Sequence, residues 1–466
     1  MFVFAPVRAH ACSSRGSACF LILFSSFGLA ACATTAGSQH YDTLSSDFAR
    51  SSSLSHSAPE KEPSSIKGPV LERAAFVRAV LERNPSIESA RQGWRGAIAR
   101  TRQAGSFDDP MLDLGVAPLS IGSSKAPFGY EVGISQQLPW FGKRSLDANA
   151  AAAEAEAGKS DYEGVRRELA LTASNLYDQY FVAQRSIDIN AAHVKLMIAM
   201  RDSAIAQFGS GHGSAQDSLQ AEAELTHMEH DTIILASQRD ILVAQMNELL
   251  HRAPELPLPP PPGELPAPGS VRSSVASLQV EAIEKRPDIT AAREHARAQQ
   301  AKVDRAERDY YPDFTVSTSY NAMWDMPEHR WMVGLGLSLP IWTGKGSAMA
   351  EEATAMRAQF ESDVARMSDM ARTQVFVSMK QIQESEHVLR LFETRLLPVA
   401  RDQIDAARAG FITSQNPFVA VIDAERNLRK VELDYEMARA DYAQRRAQLD
   451  RALGRIPGLD WKGSDR

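Results

Sequence analysis

The side chains with the most chemical reach in this chain are a few histidines, methionines, paired carboxylates and one cysteine, and their spacing argues against an enzyme. His227-Met228-Glu229-His230 resembles a zinc-protease helix only in composition. Its second histidine is three positions from the first, so the two-histidine, one-glutamate geometry is not met. Asp108-Asp109 supplies the pair of acids that general acid–base chemistry needs, but Pro110 follows at once, and the segment reads as a helix-to-strand connection. Gly209 to Gly213 is rich in glycine yet lacks the lysine and preceding strand of a phosphate loop, and reads as a reverse turn. Met323, Met326 and His329 fall together in one short segment, and His212, His227, Met228 and His230 in another. Thioether and imidazole suit soft cations such as Cu(I). Against a metal site, Met228 also belongs to a heptad seam and exposed histidines are common, so the weight falls on structural or solvated roles. No catalytic residue and no cofactor is assigned.

The cysteine that matters is the third of three. Cys12 and Cys19 lie in the N-terminal stretch where Arg8 and Arg15 precede an apolar run from Ala18 to Ala31, the order of a secretory signal. Leu29-Ala30-Ala31-Cys32 then resembles a bacterial lipobox, in which Cys32 is acylated on its thiol and becomes the first mature residue. Ordinary cleavage near Ala31 or Ala33, with Cys32 incidental, is the alternative. Either way the mature chain has no disulfide, although it enters a compartment that permits one.

These residues must be positioned by elements that occur twice. Leu81-Glu82-Arg83-Asn84-Pro85-Ser86-Ile87 returns about 202 residues later as Ile283-Glu284-Lys285-Arg286-Pro287-Asp288-Ile289, Pro110 returns as Pro312, and the segment from Gly133 to Lys143 returns as Gly334 to Lys345. A repeat of that length is a whole structural unit. The net charge of −7 leaves no basic footprint for nucleic acid, and no apolar run in the body is long enough for a membrane-spanning helix. We therefore expect a signal peptide (1–31), a lipidated, unfolded tether (32–66), a first repeat (67–253), a proline-rich linker (254–269), a second repeat (270–455) and a tail (456–466). Each repeat reads as one helix (71–103; 271–309), two strands, a very long helix (145–208; 347–409), a break and a last helix (217–250; 417–453). At 1.5 Å per residue the long helix spans roughly 95 Å, and the two shorter ones laid end to end match it. Asn416-Pro417 reads as a cap and first helical residue. Met228, Leu235, Leu242 and Leu249 recur every seven residues, as do Val421, Leu428, Tyr435, Tyr442 and Leu449. Further apolar positions (Leu225, Met246; Val431, Ala438) form a second seam and suggest a second neighbour.

The strands decide the class. Trp331, Val333, Leu335, Leu337 and Leu339 alternate with small or polar residues, as do Phe314 to Tyr320 and Tyr130 to Ser135. Alternation over nine to eleven residues suits a strand crossing a bilayer around a wet interior; a soluble sheet over a core would use the same pattern. The exported leader, the lipobox and the repeat favour the membrane. Four strands cannot close a barrel and open edges cannot sit in lipid, so several copies must pool their strands.

On these residues the chain resembles the TolC-like outer-membrane efflux proteins over about 70–455. The closest local match is Phe208-Gly209-Ser210-Gly211 with Ser214, Asp217, Leu219, Ala221 and Leu225, and, in the second half, Val421-Ile422-Asp423-Ala424 with Leu428. The resemblance implies a mainly α fold with a membrane β-barrel contribution: a homotrimer whose twelve-stranded barrel in the outer membrane continues as an α-helical barrel through the periplasm. It implies a periplasmic adaptor and an inner-membrane resistance-nodulation-division pump as partners, with Gly211, Asp217 and Asp423 at the periplasmic tip or gate. The motif from Gln137 to Lys143 and the compact N-terminal part look like the heavy-metal branch, which makes metal cations the expected cargo and drug efflux or type I secretion the alternative. Gly410 stands about four residues further from Asp423 than the pattern asks, so a longer second turn (411–416) is expected. Asp217 has a plainer role open to it as a helix cap. A periplasmic adaptor or a structural coiled-coil lipoprotein are the rivals of another class; neither explains a duplicated helix-strand-strand-helix-helix order.

Overall fold

The computed structural model describes residues 36–52, 66, 68–122, 124–211, 213–265, 271, 273–413 and 415–459. The expected leader, Cys32, His212 and residues 460–466 lie outside them. The described residues divide into two compact units, one drawn from 36–45, 98–152 and 304–350, the other from 46–97, 153–303 and 351–459.

The first unit is built on a four-stranded antiparallel sheet in the order β1 (Met111–Val116), β2 (Tyr130–Leu138), β3 (Asp313–Asn321), β4 (Trp331–Ser338). Each repeat contributes one hairpin, and β2 and β3 join the two copies along the middle. β2 and β3 have nine residues each, within the nine to eleven expected of the alternating segments, while β4 has eight and β1 six. Helix α1 (Ala36–Ser52) begins in this unit, where Gly37 lies so close to Gly105 that a Cβ on Gly37 would stand 3.1 Å from the Gly105 Cα. The region read from its composition as an unfolded tether therefore contains a helix. Its stabilisation comes from contacts made at long range, including Arg102 over the ring of Tyr41 and a 3.0 Å hydrogen bond between His40 and Asn149.

The second unit is helical. The helix expected over 71–103 is two helices, α2 (Arg73–Arg83) and α3 (Pro85–Ala104), and its repeat is likewise α6 (Val275–Lys285) and α7 (Pro287–Arg308). The break falls at Asn84 and Arg286, both in extended conformation, because the residue before proline is pushed out of the helical region. Pro85 and Pro287 then open the next helix, where a missing N–H costs nothing. The long helix of the first repeat, α4 (Lys143–Gly209), has 67 residues and runs unbroken. Its counterpart is α8 (Thr343–Leu391), a π-helical turn (Phe392–Leu396) and α9 (Leu397–Ile412), the irregularity standing just before Pro398. The last helices are α5 (Ala215–Leu249) and α10 (Phe418–Ala452).

Three apolar cores hold these helices together. One joins Phe76, Val80, Tyr177, Phe181, Met246 and Leu250; a second Met197, Leu225, Met228, Ile404, Phe411 and Val421; a third Leu278, Ile289, Val375, Ile382, Tyr442 and Leu449. The heptad seam of α10 is buried at Val421, Leu428, Tyr442 and Leu449, whereas α5 leaves Ile233 and Ile241 exposed on another face. The proline-rich linker is tied down through its carbonyls, since its prolines, lacking an N–H, can accept but not donate. Leu71 N donates to Pro260 O, Tyr180 Oη to Pro259 O, and Asn247 Nδ2 to the carbonyls of Pro254 and Leu256.

Candidate functional site

Register turns the sheet into two unlike faces. The directly opposed sets Leu112, Ile134, Thr318, Val333 and Leu114, Val132, Tyr320, Trp331 lie on one face, with Leu138, Phe314, Leu337 below them. The other face carries Asp113, Gly133, Ser319, Met332 and Ser135, Ser317, Gly334. The apolar face is uncovered: Val333 is 83% exposed, and Leu114 and Leu335 also stand open. A surface of this kind costs free energy in water at roughly 25 cal/mol per Å², and is stable only against lipid or another protein. β2 and β3, of nine residues each, extend roughly 30 Å, which a barrel tilt of about 40° brings close to the height of a membrane barrel's apolar band.

Aromatic residues bracket that face. At the loop end the rings of Phe128, Tyr130, Tyr320 and Trp331 follow one another at 5.8, 6.0 and 5.5 Å between centroids. At the helix end Trp140 stacks on Tyr311 at 5.3 Å and on Phe314 at 5.5 Å. Such girdles mark the two interfaces of a bilayer. Below the second girdle Lys143, at the start of α4, reaches Asp313 Oδ1 at 2.8 Å and Asp309 Oδ1 at 3.2 Å, and Asp313 also accepts from Trp140 N. Among the described residues β1 pairs only with β2 and β4 only with β3, so both sheet edges are open.

In the second unit the site residues read from sequence gather at two helix–helix connections. Gly211 has φ +77° in the first, a conformation that favours glycine, and no atom stands within 4 Å of where its Cβ would be. Asp217 closes a capping box: Ser214 N donates to Asp217 Oδ2 at 3.0 Å while Gln216 N donates to Ser214 Oγ. The structure thus gives Asp217 the cap role weighed against a gate. Asp423 is exposed on the second turn of α10. The second connection is not longer than the first. Helices end at Gly209 and Ile412 and resume at Ala215 and Phe418, so the extra residues noted in the sequence belong to α9. Nor does Asn416 cap α10; Pro417 is the extended cap residue, and the Asn416 side chain folds back over Gly410 instead.

The candidate metal ligands lie at two places, on α5 and in the connection between β3 and β4. Met228 is in the core while His227 and His230 are exposed on the other side of α5. Met323 lies against Gly129, whose Cβ would stand 2.9 Å from the Met323 side chain, and Met326 precedes the short 3-10 turn Pro327–His329. His329 meets Trp324 edge-on at 6.0 Å. Among the described residues no three of His, Cys, Asp or Glu are grouped to hold a metal ion.

The sequence alone does not reveal a charged layer between the helices that is buried at His193, Glu224 and Glu425. His193 on α4 sits between two carboxylates of α10, Glu425 at 2.7 Å and Glu432 at 3.0 Å. Burial disfavours its charge, but the two carboxylate hydrogen bonds outweigh that and raise its pKa to about 9, so both ring N–H groups donate at neutral pH. Beside it Arg426 donates twice to Glu224 Oε2, and Arg429 joins Asp231 and Asn190 at 3.2 Å. No local signal in the sequence marks these residues, since the partners are more than 190 positions apart.

The model of the family described as outer membrane efflux protein matches residues 76–250 and 278–455. The cobalt-zinc-cadmium resistance protein CzcC of Cupriavidus metallidurans is 26% identical over 319 residues, 67% of this chain and 74% of the relative. Among solved structures the outer-membrane channel OprN superposes with a TM-score of 0.71 at 20% identity, covering 85% of this chain and 93% of that one. CusC gives 0.68 at 16%, covering 86% and 98%, and the open state of the Neisseria gonorrhoeae channel MtrE gives 0.69 at 18%, covering 86% and 94%. The fold, a hairpin-paired sheet with very long helices, is the TolC-like one of these outer-membrane channels. With both repeats matched over most of its length, the chain belongs to the outer membrane efflux protein family.

Proposed function

We propose that this chain is the outer-membrane channel of a tripartite efflux system, working as a homotrimer with a periplasmic adaptor and a resistance-nodulation-division pump, and that its cargo is metal cations. The single observation that carries the channel reading is the sheet: an exposed apolar face, a polar and glycine-rich opposite face, and two open edges. Three copies would supply twelve strands, closing every edge and leaving the polar face toward a water-filled interior. The exposed Ile233 and Ile241 of α5 offer a second helical seam for a neighbouring copy. The cargo rests on CzcC, whose name records cobalt, zinc and cadmium resistance.

The mechanism is physical rather than chemical. Solute passes along a wet tube, and the connections at Gly211 and ahead of Asp423 form its narrow periplasmic end, which the adaptor and pump bias open. Asp217 holds the first turn of α5 and thereby the shape of that end. Cys32, acylated, tethers the chain to the outer membrane. A deletion strain challenged with a panel of metals and drugs tests the cargo. Sensitisation to cobalt, zinc or cadmium, restored by the gene on a plasmid, is expected; sensitisation to drugs or detergents alone would transfer the chain to multidrug export.

A further inference from the structure

The two repeats end their hairpins with the same joint, and only one of the two joints is complete within the chain. In the first, Trp140 lies on Tyr311 and Phe314, Lys143 is 3% exposed between Asp309 and Asp313, and Arg308 covers Gly142, 2.8 Å from where its Cβ would be. All the covering residues come from the end of α7, the connection after it and the start of β3. In the second, Trp342 is 79% exposed, nothing lies within 4 Å of a Cβ on Gly344, and the exposed Lys345 has no side-chain partner among the described residues. Among the described residues there is no third hairpin to cover it.

We propose that the second joint is completed by the first hairpin of a neighbouring copy, with Trp342 seated on Leu112 and Lys345 paired with Asp108 and Asp109 of that copy. The inference rests on the trimeric reading above and adds the residues and the register. In the repeat, Tyr311 and Phe314 answer to Asp109 and Leu112, and Asp309 and Asp313 answer to positions 107 and 111. The acids Asp108 and Asp109 stand between those two positions, exposed, and their carboxylates have no partner among the described residues. Charge and shape therefore match: an unpaired cation and an uncovered indole on one edge, unpaired carboxylates and an exposed leucine on the other.

The same equivalence fixes how β4 of one copy meets β1 of the next. Leu138 is opposite Phe314 in the complete joint, Leu138-Pro139 answers to Leu339-Pro340, and Phe314 answers to Leu112. Leu339 then stands opposite Leu112, Leu337 opposite Leu114, Leu335 opposite Val116 and Ser338 opposite Asp113. This register keeps every leucine on the lipid face, and a slip of one residue would put leucines opposite Asp113 and Gly115 on the polar face. Second copies are required because β1 and β4 are the outer strands of one sheet, about 14 Å apart across three strand spacings, beyond the reach of a disulfide.

Cysteine pairs test it in the full-length protein in outer membranes. Adjacent opposed pairs alternate in hydrogen bonding and in Cβ separation, so one pair is taken from each class: Ser338→Cys with Asp113→Cys, and Leu337→Cys with Leu114→Cys. Mild oxidation is expected to give covalent dimers and trimers for at least one pair, and none for the slipped pair Ser338→Cys with Leu114→Cys or for the single substitutions. Lys345→Glu is expected to lower the heat resistance of the trimer, and adding Asp108→Lys and Asp109→Lys to restore it. Heat-resistant trimers that cross-link only through the slipped pair, or through neither in-register pair, overturn the joint and leave the channel reading intact. Monomers alone, by mass in mild detergent, overturn both.

Discussion

Lys143 and Asp313 meet at 2.8 Å across the junction where β2 gives way to α4, and the lysine is buried. A polar contact inside the sheet's apolar end is stable only if every charge there is matched. Replacing Lys143 by Met leaves Asp313 without its cation and Asp309 with Arg305 alone. Because those carboxylates are partly exposed, we expect a loss of about 2 kcal/mol, below the roughly 3–5 kcal/mol of fully buried broken pairs. Lys345→Met should leave the monomer's stability unchanged and weaken only the assembly. Unfolding in detergent, followed separately for monomer and trimer, distinguishes the two lysines.

A pH dependence follows from His193. Its folded pKa of about 9 lies above the unfolded value of 6.5 because Glu425 and Glu432 favour the charged ring despite its burial. A raised pKa means stability that is complete below pH 6.5 and lost as pH rises through about 9. Arg401 and Arg426 face the same carboxylates and stay charged throughout this window. Melting temperature of the helical signal should therefore fall between pH 6.5 and 9. His193→Gln should flatten that slope while lowering stability at pH 6.5; an unchanged slope would remove His193 as its source.

The capping box gives Asp217 a measurable structural share. Asp217→Ala frees the Ser214 N–H, and a cost of about 1 kcal/mol is expected. Asp217→Ser, which can still accept there, should recover most of it. If Asp217 also shapes the channel's narrow end, both variants will raise resting conductance in the order of their lost stability. Raised conductance with unchanged stability would assign it a direct gating contact instead.

Met323, Met326 and His329 invite a cargo role by type alone. With Met323 against Gly129 and His329 against Trp324, we expect the triple alanine variant to keep metal resistance within about twofold of the parent, since Met323 and His329 already pack against neighbours. A collapse of resistance at normal membrane abundance would restore these residues as ligands.

Periodic features were legible in the sequence and long-range ones were not. The alternation in Trp331 to Leu339 named the lipid face, and the heptads of α10 named its buried seam, because both patterns repeat within one element. Asn84-Pro85 was visible as a repeat marker yet hid a helix break, since proline is as suited to a helix's first turn as to its end. The region from Ala36 to Ser52 looked too polar to fold because its stabilising contacts, such as Phe48 on Trp94 at 5.2 Å, are made with residues far along the chain. His193 and Glu425, 232 positions apart, share no local pattern at all.

Reconstitution in planar bilayers bears most directly on the central claim that copies of this chain pool their strands into one membrane channel. Heat-resistant trimers are expected to give discrete ion-conducting steps, and the same preparation dissociated to monomers none. Folded trimers that never conduct, or monomers that conduct equally well, would contradict it.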